Sequence, residues 1–466
     1  METAVLFILL FGLLLIGAPI AIALGLSSIL YIALFSHDTM SSVAVQMFNA
    51  SQNFTLLAIP FFILASTFMS TGGVARRIVN FAVATVGSFR GGLAMAAVLA
   101  CMIFAALSGS SPATVVAIGT IAIGAMRQAG YSKEFASGII ANAGTLGILI
   151  PPSIVMVVYA AATNVSVGRM FLAGVIPGII AGLMLMGAIY FVAWKKDLPR
   201  QPFPSLRELW DTFSSAAFGM FLIVVIMGGI WGGVFTPTEA AAVAAVYAAF
   251  VALFIYRDMG PLAGQAWRQQ GESLSVATLR NIWLLSSRFL PAFFHRDTRK
   301  VFTDSAKTTV MLMFIIVNAL LFAHTLTAER IPQVITDWML DAGFNWFTFL
   351  LAVNIILLIG GQFMEPSGLL LIVAPVVFPI GIELGVDPIH LGILMVVNME
   401  IGMITPPIGL NLFVTSGITG MSLVQVVRAA SPFVVVLLVF LVLVTYVPSI
   451  STFLPTMFMG AETVLE

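Results

Sequence analysis

Long apolar runs, most of them near the length of a membrane crossing, alternate with short polar stretches along the chain. A helix needs about 20 apolar residues to cross the hydrocarbon core of a bilayer. Residues 4–35 are apolar around a Gly-Ala-Pro break at 17–19 and predict either one long kinked span or two short ones. A polar connection at 36–53 leads to a span at 54–73, after which Arg76, Arg77 and Arg90 flank a short segment. Further spans are predicted at 170–193, 215–233, 237–255, 309–326 and 430–449. Polar, basic sequence fills 195–211, and a long insert occupies 256–307.

Four apolar segments break this pattern. Residues 91–126 are interrupted by S-G-S-S-P at 108–112, and 346–383 by E-P-S-G at 365–368. The arms of the first are about 16 residues each, marginal for a crossing, so a re-entrant hairpin with its tip at the serines is predicted. Residues 135–162 are long enough to cross, but G-T-L-G-I-L-I-P-P-S (144–153) lies in their middle. Pro151 and Pro152 lack an N–H, and each ring crowds the carbonyl four residues back. Gly144 and Gly147 lower the cost of unwinding. Two half-helices meeting near mid-membrane are predicted, and the device recurs in 389–418 at G-M-I-T-P-P (402–407). Unwound backbone at that depth is tolerated only inside protein or beside a wet cavity, and it marks binding sites in transporters.

Composition agrees. Of the 466 residues 60% are hydrophobic and 9% charged, against roughly 25% charged in a soluble domain. The chain therefore reads as an all-α polytopic membrane protein. Zero formal net charge gives no basic field for nucleic acid. A single cysteine, Cys101, excludes an intrachain disulfide. The apolar N-terminus has no basic region before it and reads as a retained span rather than a cleaved signal.

The interruptions recur at one offset. Pro366 follows Pro112 by 254 residues; Gly385 follows Gly130, Pro406 follows Pro151 and Pro432 follows Pro177 by 255; Thr419-x-x-Ser422 follows Thr163-x-x-Ser166 by 256. The repeated unit is span, re-entrant hairpin, broken helix, span. An odd number of crossings per unit makes the two copies inverted repeats. Basic residues cluster at 76–90, 127–133, 195–211 and 256–307, whose insert alone holds eight Lys/Arg against four Asp/Glu. The positive-inside rule puts that face in the cytoplasm. The matching segments of the second half carry Asp337, Asp341, Glu383 and Asp387 with Arg330 alone, an outside face; Arg428 returns inside, and the tail with Glu462 and Glu466 ends outside. The insert is either an amphipathic surface helix on an anionic leaflet or a solvated loop. The expected divisions are an N-terminal membrane segment at 1–53, repeat 1 at 54–194, a linker with two spans and the insert at 195–307, repeat 2 at 308–452 and a tail at 453–466.

Candidate chemistry sits at the interruptions. Ser108, Ser110, Ser111 and Thr114 at the first tip, with carbonyls released between Gly144 and Pro151 and the Thr145 hydroxyl, offer hard, uncharged oxygens that suit a desolvated Na⁺. The mirror site uses Ser367, Gly402, Thr405 and Pro406. The simpler reading of these small residues is close helix packing. Half-helix N-termini beyond the prolines, at Ser153 and at Gly409 and Asn411, present free N–H groups to an anion. Ser111 and Glu365 complete the candidate substrate contacts. Glu365 lines the site, carries a proton or caps a helix; Glu400 is read as a helix-to-helix hydrogen bond, and Asn142 and Asn398 share that ambiguity. The histidines His37, His295, His324 and His390 have no metal spacing, and no hydrolase motif occurs.

At S-G-S-S-P-A-T (108–114), G-T-L-G-I-L-I-P-P-S (144–153), M-E-P-S-G (364–368) and G-M-I-T-P-P-I-G-L-N (402–411) the sequence resembles the large membrane subunit of tripartite ATP-independent periplasmic (TRAP) transporters, and its insert resembles that of the C4-dicarboxylate branch. The resemblance implies Na⁺-driven uptake, with two or more Na⁺ sites, by an elevator movement of the hairpin-bearing domain. It also implies a small membrane subunit, a soluble periplasmic binding protein and a multi-pass position in the bacterial inner membrane. The expected function is import of a small carboxylate. The alternatives are a single-component Na⁺/dicarboxylate symporter or, from another class, an intramembrane enzyme or assembly scaffold.

Overall fold

The computed structural model describes residues 2–36, 39–269 and 271–460. The N-terminal apolar run forms two helices, α1 (Glu2–Leu15) and α2 (Ile20–Leu34), parted at Gly17, whose φ of 87° only glycine adopts at low cost. The expected polar connection is instead largely a helix, α3 (Met40–Ser51), lying against the later helix α15. Helices α4 (Ala58–Thr71) and α5 (Val74–Val86) follow. The first hairpin consists of α6 (Gly92–Ser108) and α7 (Ser111–Gln128). The first broken helix consists of α8 (Lys133–Ala143), a 3-10 turn (Gly144–Ile148) and α9 (Ile154–Thr163), after which α10 (Val167–Lys196) closes the unit.

Two helical segments come next. One is α11 (Leu206–Ile223), with a π turn (Val224–Gly228) and the short α12 (Gly229–Trp231); the other is α13 (Pro237–Phe250), extended by a π segment (Val251–Tyr256). The insert contains α14 (Leu274–Phe294), and then α15 (Arg296–Ala328) begins inside it. The expected division at 307/308 thus falls within a 33-residue helix whose first turns are charged; hydropathy registers only its apolar remainder. After α16 (Ile331–Asp341) come the second hairpin, α17 (Trp346–Gly361) and α18 (Pro366–Glu383), and the second broken helix, α19 (Pro388–Gly402) and α20 (Leu410–Thr419). The chain ends with α21 (Leu423–Tyr446) and α22 (Ser449–Met459). The start of the expected C-terminal tail therefore lies in a helix packed on α10, where Arg169 donates to the carbonyls of Met459 and Gly460 at 2.7 Å. His37 and the outward-facing end assigned to Glu462 and Glu466 lie outside the described residues.

Among the described residues, seven helices are long and apolar enough to cross a membrane, starting at Phe54, Val167, Leu206, Pro237, Arg296, Pro366 and Leu423. Side-chain caps start many of the helices. Ser166 accepts from Arg169 N and Ser422 from Gln425 N, which gives the repeated Thr-x-x-Ser a concrete role as cap of α10 and of α21. The other recurring landmarks also fall at matching places. Pro112 and Pro366 lie in the first turn of α7 and α18, where no amide donor is needed. Gly130 and Gly385 take left-handed turns before the broken helices, and the Pro151–Pro152 and Pro406–Pro407 bonds are both cis.

Burial separates an inner layer from an outer one. All of α19 is buried, as are nearly all of α6, α8 and α9; helices apolar on every side belong at a core. Large apolar side chains on α10, α11, α15 and α21 point outward, among them Leu183, Phe218, Val310 and Val439. Packing crosses between the two units. Helix α9 lies on α18, and α20 lies on α7, so the second half of each broken helix rests on the other unit's hairpin.

Candidate functional site

Each hairpin tip is tied to its own helix break by one backbone bond. Ile154 N, at the start of α9, donates to Gly109 O (3.4 Å); Gly409 N, at the start of α20, donates to Gln362 O (3.3 Å). The two pairs occupy corresponding places in the two units. The first tip turns at Gly109 (φ 59°), and a Cβ there would stand 2.7 Å from Pro152 O, so only glycine lets that carbonyl reach the tip. Gly147 serves the same approach from the other side: its Cβ would fall 2.6 Å from Ser110 O. Gly144, beyond easing the unwinding, makes room for Val115 of α7.

Oxygens converge at this tip. Ser108 Oγ and Thr114 Oγ1 are 2.8 Å apart, and Thr114 Oγ1 donates to Ser110 O at 2.9 Å. Ser153, expected at a half-helix start with free N–H groups for an anion, instead caps α9 itself, accepting from Met156 N while its hydroxyl donates to Ile148 O at 2.6 Å.

The two tips face one cavity of about 320 Å³, the lower end of the usual size for a small-molecule site. Ser108, Ser110 and Ser111 line it from the first tip, and Glu365 and Ser367 from the second. Of the charged residues on this lining, Glu365 is the sole one, and its carboxylate is turned to its own helix. Oε2 accepts from Gly368 N and Oε1 from the Ser367 hydroxyl, both at 3.1 Å, capping α18. At the matching start of α7 the cap residue Ser110 makes no side-chain cap bond. The N-terminus of α18 is thus filled by its own anion, whereas that of α7 has no side-chain cap.

Not every candidate residue reaches this cavity. Ser111 does, but its Oγ accepts from Asn411 Nδ2 at 2.7 Å, so two candidate substrate contacts hold each other across the units. Asn411, Ser153 and Gly409 sit behind the lining, which their neighbours Leu410 and Ile154 supply. In the second break Gly402 is pressed against Gly361 of α17. Thr405 donates to Ile401 O at 2.7 Å, and Pro406 is exposed whereas Pro151 is buried. Gly144, Thr145, Pro151, Gly402, Thr405 and Pro406 therefore flank the cavity rather than line it.

Sequence reasoning missed Ser66 and Thr67 of α4 and Thr308 of α15, which line the opposite wall. A hydroxyl within an apolar span carries little signal. It also missed the partner of Glu400. Thr145 Oγ1 stands 2.7 Å from Glu400 Oε1 and joins the first break to α19. Thr145 and Glu400 are 255 positions apart, so corresponding positions of the two units meet there. Asn142 donates to Ala430 O of α21, and Asn398 donates to Asn354 Oδ1 of α17, which makes both of them helix-to-helix ties.

Paired hairpins and broken helices around a shared cavity, within a helical chain built to cross a membrane many times, define a multi-pass protein with a transporter fold. The crystal structure of the Alcanivorax borkumensis YdaH transporter shares that fold, with a TM-score of 0.54 at 13% identity over 88% of this chain and 89% of that one. The sequence model described as "Tripartite ATP-independent periplasmic transporter, DctM component" matches residues 7–450, and the chain belongs to this family. The chain is 63% identical to the C4-dicarboxylate TRAP transporter large permease protein DctM of Vibrio cholerae, over 99% of both chains. It is 58% identical to the protein of the same name in Pseudomonas aeruginosa, over 93% of both. These relatives are named as transport permeases, not as enzymes.

Proposed function

We propose that the chain is the large permease subunit of a Na⁺-coupled secondary transporter that imports small carboxylates, C4-dicarboxylates first among them. A periplasmic binding protein delivers the cargo, and a small membrane subunit completes the complex in the bacterial inner membrane. The observation that carries this reading is the single cavity between two hairpin tips, each bonded to its own broken helix. The names of the relatives support the cargo class. A carboxylate meets hydroxyls and the open N-terminus of α7, and the Ser108, Ser110 and Thr114 oxygens beside the first break suit Na⁺, since hard cations take oxygen ligands. Two inverted units would give outward- and inward-facing states of similar energy, and an elevator movement would carry both tips together.

Labelled-succinate uptake into proteoliposomes tests this. The complete complex with its binding protein is expected to take up succinate only under an inward Na⁺ gradient. Uptake without the binding protein would favour a single-component symporter, and absence of gradient-driven flux would favour an enzyme or scaffold. Ser110→Ala and Thr405→Ala are each expected to raise the Na⁺ concentration for half-maximal uptake about fivefold, the equivalent of roughly 1 kcal/mol. An unchanged Na⁺ dependence in both variants removes these side chains from the coordination shell.

A further inference from the structure

A second, larger cavity of about 800 Å³ opens on the face that carries Arg76 and Arg77. It is lined by α7 and by the turn between α4 and α5, and it meets the tip cavity at Pro112 and Ala113, which belong to both linings. The two cavities are thus neighbours along α7. The charged residues on the wall of the larger one are Arg76 and Asp258.

These two form an ion pair, but Asp258 is shared with a second and more closely held arginine. Arg77 donates to Asp258 Oδ2 and, at 2.8 Å, to Gly73 O, and its guanidinium lies 3.9 Å from the centre of the Tyr256 ring. Gly73 is what admits the carboxylate: a Cβ there would come 1.7 Å from Asp258 Oδ2. Arg77 is thus held on three sides and consumes the charge of Asp258. Arg76 reaches the same carboxylate only at 3.4 Å, and its side chain is 62% exposed. Two guanidinium groups against one carboxylate leave one positive charge at the wall of the larger cavity. A guanidinium presents paired donors in the geometry a carboxylate accepts.

We propose that Arg76 is a carboxylate-binding station on the path by which cargo leaves the protein. The station rests on the reading that the cargo is a small carboxylate. Cargo moves from the tip cavity, whose charged lining residue is Glu365, to a guanidinium that solvent already reaches. The exposure of Arg76 keeps the station weak, so that it draws cargo out and lets it go. In an orienting role of this kind Lys is a poor substitute, because it lacks the fork.

The test uses the reconstituted complex with its binding protein. Vesicles are preloaded with graded unlabelled succinate, and the internal concentration that gives half the maximal effect on labelled uptake is read beside the external half-saturating concentration. Arg76→Gln is expected to raise the internal value about three- to fivefold, the range one exposed charge pair supports. The ratio of internal to external values rises with it, and Arg76→Lys recovers only part of the loss. Arg207→Gln, which alters an exposed arginine lining another cavity, is expected to leave the ratio unchanged. An unchanged ratio in Arg76→Gln, with wild-type uptake intact, overturns the station alone. Equal shifts on both sides also overturn it, since they place the effect in the folding of the protein or in the tip cavity. Wild-type complex that carries no dicarboxylate overturns the cargo reading and the station with it.

Discussion

Gly402→Ala is expected to cut uptake by the complex more than tenfold and to lower the Tm of the purified protein by several degrees. The added Cβ would stand 2.7 Å from both Cα and C of Gly361 and 2.9 Å from its O. Backbone faces backbone there, so no side-chain rotamer can relieve the overlap. Extra methyl groups in packed interiors cost roughly 1–3 kcal/mol even where side chains yield; here α17 must move away from α19, and the second tip with it. The converse, Gly361→Ala, places its Cβ 3.1 Å from Gly402 Cα and is expected to do less harm. Gly417→Ala, with nothing within 4 Å of its Cβ, is the neutral control. Wild-type uptake and Tm in Gly402→Ala would show that the two helices are not held at this distance.

Glu400 gives the second large effect, and its logic is a count of hydrogens. Thr145 Oγ1 lies 2.6 Å from Asn142 O and 2.7 Å from Glu400 Oε1. One hydroxyl hydrogen cannot serve both. If Thr145 donates to the carbonyl, Glu400 must donate to Thr145, and a neutral carboxylic acid completes the set. Glu400 is fully buried and its Oε2 has no protein partner, a position in which a charge costs far more than a neutral group. Glu400→Gln keeps a donor towards Thr145 and is expected to retain uptake within about threefold. Glu400→Ala leaves Thr145 with its Asn142 bond alone, beside a void, at a cost of about 2–5 kcal/mol by analogy with other large-to-small changes in cores, and is expected to reduce uptake more than tenfold. Uptake and Tm of both variants are the measurements. A well-folded Glu400→Gln as inactive as Glu400→Ala would mean that the charge, not the hydrogen bond, is used.

Much of the architecture was legible because prolines and glycines have few alternatives within apolar sequence. The serines at 108–111 and E-P-S-G at 365–368 placed both hairpins, and the Pro-Pro pairs both breaks, to within a few residues. Amphipathic and charged helices were less legible. Polar residues across 36–53 conceal α3, and Arg296, Arg299 and Lys300 conceal the first turns of α15. The candidate site was half legible. Spacing identified the tips that share a cavity, and a helix cap was among the readings of Glu365, which does cap α18, but nothing local could tell that Ser111 and Asn411 bond each other. A partner 300 positions away leaves no local trace. The repeat offset makes Thr145 and Glu400 corresponding positions, but that correspondence does not say that they touch.

The crosswise seating of α9 on α18 and of α20 on α7 bears on how such a chain could ever be cut. Neither half holds a finished surface of its own, because each contributes a limb that belongs in its sibling's socket. Two fragments divided near the insert would have to meet during synthesis and clasp before either became durable.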